Sequence, residues 1–144
     1  MAATDFATFA AKIDAISSGL AQKASDGAVS VATTILGDLV VVTPVDTSAA
    51  ISNWQVGIGA PVTNPIDPYF PGTQGSTYTV SGQEALDAGK SKMQTKTPGQ
   101  PIYISNVLSY IVGLNQGSSG QAPAGFVERA ALIGAVMISK IKLF

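Results

Sequence analysis

The sequence predicts an α+β domain in which a long N-terminal helix and a C-terminal helix pack on a small, mainly antiparallel sheet. Three observations predict it. Apolar residues recur every three or four positions from Phe6 to Val42, which is the helical period. Two short segments, Trp54 to Ile58 and Ile102 to Ser105, alternate in character along the chain, which is the period of a half-buried strand. A last apolar-rich stretch follows Pro123, a residue whose missing N–H costs nothing in the first turn of a helix.

The first helix carries a stripe of Phe6, Phe9, Ile13, Ile16, Leu20, Ala24, Ala28, Val31, Ile35 and Leu39, with Asp5 placed as its N-cap. Gly19, Gly27 and Gly37 each weaken it by up to about 1 kcal/mol, so a break is allowed near Ser25 to Gly27. Pro44 ends it by Thr43, because the residue before proline is pushed out of the helical region. The run Thr43-Pro44-Val45-Asp46-Thr47-Ser48 reads as a turn in which Asp46 or Thr47 caps a short helical turn over Ala49 to Ile51. Trp54, Val56 and Ile58 then share one side of a strand that stops at Pro61, and Trp54 is read as core.

Residues 61–79 hold four of the eight prolines and read as a long extended loop ending in a strand at Thr77 to Val80. Loops of that length are functional or disordered. Tyr69 and Phe70, between Pro68 and Pro71, are its expected anchors on an adjacent subunit, since rigid aromatics bury large area at small entropy cost. A weakly amphipathic helix follows over Ser81 to Lys96, anchored by Ala85, Leu86 and Met93, with Lys90, Lys92 and Lys96 near its C-terminal end. After the second strand, Val107 to Leu114 gives a helical turn or two. Gly117 to Gly120 is a turn, and the final helix runs from near Pro123 to about Lys140.

Composition narrows the function. The chain has 144 residues, enough for one domain with an ordinary core. Eight basic and nine acidic residues leave a net charge of -1, which argues against a free-standing nucleic-acid binder. Only 12% of residues are charged against 46% hydrophobic, so much of the surface is expected to face other protein. Cysteine and histidine are both missing, which removes disulfides, thiolate nucleophiles, the usual zinc ligands and the commonest general base. The N-terminus has no basic region followed by an unbroken apolar run, and Ala130 to Ser139 is about half a membrane span. The sequence reads as a soluble chain with no membrane partner.

Catalytic motifs fail one by one. Gly89-Lys90-Ser91 resembles the end of a phosphate-binding loop, but position 84 is Glu84 where that motif needs glycine. It reads instead as structural surface inside a helix. Gly57-Ile58-Gly59 lacks the third glycine and following helix of a dinucleotide fingerprint, and glycine there suits close backbone contact. Glu84 and Asp87 sit beside Lys90 on one solvated helix face. No enzyme, cofactor or metal site is expected.

Two segments carry more information than the composition. One is Thr43-Pro44-Val45-Asp46-Thr47 with Asn53-Trp54 following. The other is Ile104-Ser105-Asn106 with Tyr110, Gly117, Ser118, Gln121-Ala122-Pro123 and Gly125. Together they resemble the signature of bacteriophage neck or tail-completion proteins, the small head-tail connector proteins of long-tailed phages, of lambda tail-completion type. Ser48 stands where that family usually has glycine, Ala49 and Ala50 where a basic residue is common, and Asn115 where an acidic residue often precedes the second glycine.

The resemblance implies a virion protein at the head-tail joint, assembled in the host cytoplasm. It implies a homo-oligomeric ring, a hexamer, stacked against other head-closure, neck, tail-tube or terminator proteins, through which DNA passes without specific binding. Thr43, Pro44, Val45, Asp46, Thr47, Trp54, Tyr110, Gly117, Gln121 and Pro123 are its structural-turn or interface candidates. A different class, a small ligand-binding or enzymatic domain, would need a pocket where the 61–79 loop covers Trp54.

Overall fold

A computed structural model describes residues 2–143. In chain order the elements are α1 (Ala2–Val42), α2 (Ala49–Ser52), β1 (Gln55–Ile58), α3 (Tyr78–Met93), β2 (Ile102–Ser105), α4 (Ile111–Asn115) and α5 (Phe126–Ser139). This is the α+β arrangement the periodicities predicted. The sheet is a single antiparallel pair in which Val56 faces Ile104 and Ile58 faces Ile102.

The core forms where α1 is covered on two sides. Leu36, Leu39 and Val40 of α1 are buried with Ile51, Trp54, Val56, Met93, Phe126 and Ala130. Burying one such large apolar side chain contributes about 1.5–3 kcal/mol. Helix α3 reaches α1 because small residues face it: a Cβ on Gly89 would collide with Leu36 Cδ2 and come within 3.1 Å of Val56 Cγ2. Helix α5 crosses the other side in the same way, with Gly134 against Ile35 and Ala130 1% exposed. An ion pair between Arg129 and Asp38, 2.7 Å, spans α5 and α1 at the surface, where such pairs add little.

Several expectations are corrected. Helix α1 runs unbroken through Ser25 to Gly27, and Gly27 there accommodates Ile141 of the C-terminal tail, 3.0 Å from where a Cβ would stand. Residues Thr77 to Val80 form no strand: Thr77 is the N-cap of α3, and the next three residues are its first turn. That helix ends at Met93, short of Lys96. Gly89 is buried, so the Gly89-Lys90-Ser91 run is partly a helix-packing device rather than surface alone. Pro123 lies upstream of α5, whose N-cap is Gly125 at φ 81, a left-handed conformation that glycine adopts without steric penalty.

The largest surprise is the N-terminal half of α1. Phe6, Phe9, Ile13 and Ile16 are 73%, 63%, 49% and 60% exposed. The helix extends past the body as an apolar arm, and only from Ser25 onward do its side chains become buried.

Candidate functional site

The two motif segments meet in space. Pro44, Asp46 and Thr47 from the first join Tyr110 and Gln121 from the second around a cleft of about 350 Å³ that Ala49, Ala50, Leu114 and Ser119 also line. The seam is held by one side chain: Gln121 Oε1 accepts from Val45 N at 2.8 Å while its Nε2 donates to Val45 O at 3.2 Å. A second amide works nearby, where Asn106 Nδ2 donates to Ala50 O at 2.9 Å and Asn106 Oδ1 accepts from Leu108 N. Tyr110 projects at the rim, 46% exposed, and burial of its hydroxyl raises its pKa above the usual tyrosine value.

Thr43 closes α1 by donating its hydroxyl to Leu39 O and accepting from Trp54 Nε1 at 2.8 Å. Trp54 is thereby fixed in the core, as read from the sequence, with its one polar atom satisfied. Asp46 does not cap α2. The N-cap is Ser48, at φ 70 and without a side-chain cap bond, and its hydroxyl pairs instead with Thr77 Oγ1 at 2.7 Å. Asp46 Oδ1 accepts from Gln74 N at 2.7 Å and Asp46 O from Gly75 N at 2.9 Å. It clamps the long loop rather than the short helix.

That loop is held by its own subunit. Asn53, fully buried, makes a two-way bond with the backbone of Ile66, 2.8 and 2.9 Å. Ser52 Oγ accepts from Tyr69 N, and Ser81 Oγ both accepts from Phe70 N and donates to Phe70 O, each at 3.1 Å. The two expected anchors therefore part company. Tyr69 packs against the core, its pKa raised by burial and then by the Glu84 charge, while Phe70 points outward at 45% exposure. These bonds hold the loop on its own subunit without a partner, and of its two aromatic anchors Phe70 is the one left exposed.

On the far side of the second segment, Gly117 adopts φ 91 and Gly125 φ 81. Asn115 binds across this turn: its O accepts from Gly125 N, its Oδ1 from Val127 N, and its Nδ2 donates to both carboxylate oxygens of Glu128 at 2.9 Å. That donation, then the helix backbone, holds the Glu128 carboxyl below the usual glutamate range. Pro123 is exposed just before Gly125.

Two other concavities exist. One of about 380 Å³ lies beneath the long loop, between Trp54, Val62, Tyr69 and Gly89, with Lys92 as the one charged residue of its lining. The other is an apolar groove of about 680 Å³ that runs along α1 from Ala24 to Leu39, walled by Trp54, Ile102 and Ile104 on one side and Val127, Ala131, Ile138 and Ile141 on the other. Neither concentrates titratable groups. Among the described residues no three Asp or Glu side chains converge as a metal site would require. Helix α1 is long and apolar enough to cross a membrane by length and composition, and part of it is core.

Sequence reasoning missed the groove and the bare arm. Their signal lay in the unbroken stripe from Phe6 to Leu39, which is longer than the other elements can cover. No family model matches the chain, and neither a curated protein nor a solved structure matches it.

Proposed function

We propose that this chain is a structural subunit of a bacteriophage head-tail joint, a neck, tail-completion or terminator protein that closes into a hexameric ring, joins head to tail and lines the DNA channel. The observation that carries the reading is unpartnered apolar surface at several places on one small subunit. Phe6, Phe9, Ile13 and Ile16 are bare on the arm, and Leu132, Val136 and Ile138 on α5 are 64%, 47% and 61% exposed. Faces this apolar mark protein contacts, and a ring subunit needs them toward both neighbours.

The motif geometry supports the same reading. The residues behind the resemblance act as architecture, with Gln121 stitching Val45 and Gly117 and Gly125 at positive φ. Ser48 adopts φ 70 at the position where the family that the chain resembles usually has glycine. Charge is uneven along the chain: residues 1–72 carry two lysines against six acids, net -4, and residues 73–144 carry six basic residues against three acids, net +3. Opposite charges on contacting patches of neighbouring copies would steer their encounter. Near-neutral total charge suits a channel through which DNA slides, since tight phosphate binding requires basic excess. In this reading the chain catalyses nothing, binds no cofactor, and assembles in the host cytoplasm into the virion.

The small-ligand alternative rests on the cleft beneath the 61–79 loop, where Lys92 alone supplies charge, too little convergent polarity for an orienting site. Immunogold labelling of phage particles purified from lysates in which this chain is made tests the proposal. Gold at the head-tail junction is expected. Particles devoid of the chain, or label on capsid faces or tail fibres, contradict it.

A further inference from the structure

The bare arm carries its large apolar residues in a narrow line. Phe6, Phe9, Ile13, Ile16 and Leu20 are spaced alternately by three and four positions, which is a heptad seam of the kind that packs knobs-into-holes against one other helix. Its edges are small or polar, with Ala10 and Ser17 on one side and Asp5, Lys12 and Gly19 on the other. We infer that the arms of two copies pair antiparallel about a two-fold axis, with Phe9 level with Leu20 of the second copy and Ile13 level with its Ile16. Phe9 and Ile13, 63% and 49% exposed in the single chain, are then covered.

Charge selects the direction. Asp5 and Lys23 are 18 residues apart, five whole turns, so they lie on the same edge of the seam. A two-fold axis perpendicular to the arms brings like edges together. In this register Asp5 of each copy comes within one residue's rise of Lys23 on the other, twice by symmetry. A parallel pair instead sets that edge against Ala10 and Ser17 and leaves both charges without partners. Such rim pairs add little affinity, but they fix register and orientation.

The overlap also matches the free length of helix. Phe6 reaches the level of Lys23 on the second copy, whose Nζ lies 3.4 Å from Leu143 O of its own tail. One turn further on, Ile141 packs against Gly27, and the side chains of α1 become buried from Ser25. The seam is therefore used up to the point where the neighbour's body begins. Because α1 is anchored in the core through Leu36 and Val40, the arm extends a helix already formed and avoids the nucleation cost that keeps short isolated helices marginal. The pairing goes beyond the ring proposal and does not rest on it. In a ring, a two-fold contact alternates with a second one, and six copies are three pairs.

The test mixes unlabelled wild-type chain with nitrogen-15-labelled chain and couples carboxylates to amines with a zero-length carbodiimide. Within one copy Asp5 and Lys23 are about 27 Å apart along the helix, so a coupled Asp5–Lys23 peptide comes from two copies and carries one label. That peptide is expected, in a dimer band and in every larger species. Phe9→Glu with Ile13→Glu alters side chains exposed in the single chain, so the far-ultraviolet circular dichroism is expected to stay unchanged while the coupled peptide and the dimer band are lost.

Rings that persist unchanged in that variant overturn the arm pair and leave the ring reading standing. A wild-type chain that stays monomeric at every concentration, with no coupled peptide, overturns both. In the antiparallel pair the two Leu20 positions lie about 16 Å apart along the axis, so Leu20→Cys, in a chain with no native cysteine, is expected to form no disulfide across the pair. Rapid disulfide-linked dimers of that variant signal parallel arms and overturn the inference. Flotation of the wild type, but not of the Phe9→Glu with Ile13→Glu variant, with phosphatidylcholine vesicles makes the arm a membrane element and also overturns it.

Discussion

Gln121 and Val45 are joined by a two-way hydrogen bond, amide to backbone, across 76 positions of sequence. One side chain thereby satisfies both polar groups of a buried residue whose own chain offers them no partner in the turn. Gln121→Ala strands the Val45 N–H and C=O together. Each lost bond of this kind costs about 0.5–1.5 kcal/mol, so the variant is expected to be less stable by about 1–3 kcal/mol in urea titration. A change below about 0.3 kcal/mol would mean that water replaces the amide fully.

Ser48 separates conformation from hydrogen bonding. It sits at φ 70, almost fully buried, with its hydroxyl on Thr77. Ser48→Ala keeps the left-handed strain and loses the bond. Ser48→Gly also loses the bond but removes the strain, which is about 1–2 kcal/mol for a residue with a Cβ. Glycine is therefore expected to be the more stable of the two variants by about 1 kcal/mol. The reverse order in thermal unfolding would show that the backbone at Ser48 is unstrained.

Asp46 is expected to act on the loop and not on α2. Asp46→Ala removes the acceptor for Gln74 N, with a cost of about 1 kcal/mol. Hydrogen exchange should quicken at Gln74 and its neighbours while the amides of Ser52 and Asn53, which close α2, keep their protection. Faster exchange in α2 with an unchanged loop would restore the capping role.

Much of the fold was legible because its signals are local. The stripe of α1, the alternation around Val56 and Ile104, and the stop at Pro44 each follow from a few neighbouring residues. Pairing across the chain was not. Asp46 was assigned to the nearest helix because capping is the commonest job for an aspartate after a turn, and no sequence rule joins it to Gln74. Tyr69 and Phe70 looked alike beside two prolines, and only the bonds from Ser52 and Ser81 decide that one faces inward. The arm was within reach of simple geometry: 41 helical residues measure about 60 Å, whereas a compact domain of this length has a radius of gyration of about 15 Å. One end had to protrude.

Gly89 tests the α1–α3 crossing. Gly89→Val drives a branched side chain into Leu36 and Val56, and overpacking of this kind typically costs 1–3 kcal/mol. The gain in helix propensity over glycine is under about 1 kcal/mol, so destabilisation wins. A variant as stable as the parent would show that α3 can slide away from α1.

Glu128 supplies a pH signature. Its folded pKa lies below the ordinary value, chiefly through Asn115, so the contribution is present above the unfolded pKa and fades as pH falls through the folded one. Asn115→Ala should return the Glu128 carboxyl toward the ordinary range in a nuclear magnetic resonance titration and flatten that acid dependence. An unmoved Glu128 would assign the shift to the helix backbone instead.

The central claim is that this subunit is built to assemble, and native mass spectrometry of the purified wild-type chain tests it most directly. Closed oligomers dominated by six copies are expected, visible as rings with an open centre by electron microscopy of the same sample. A single monomeric species across the accessible concentration range, with no ring in any field, would contradict the account.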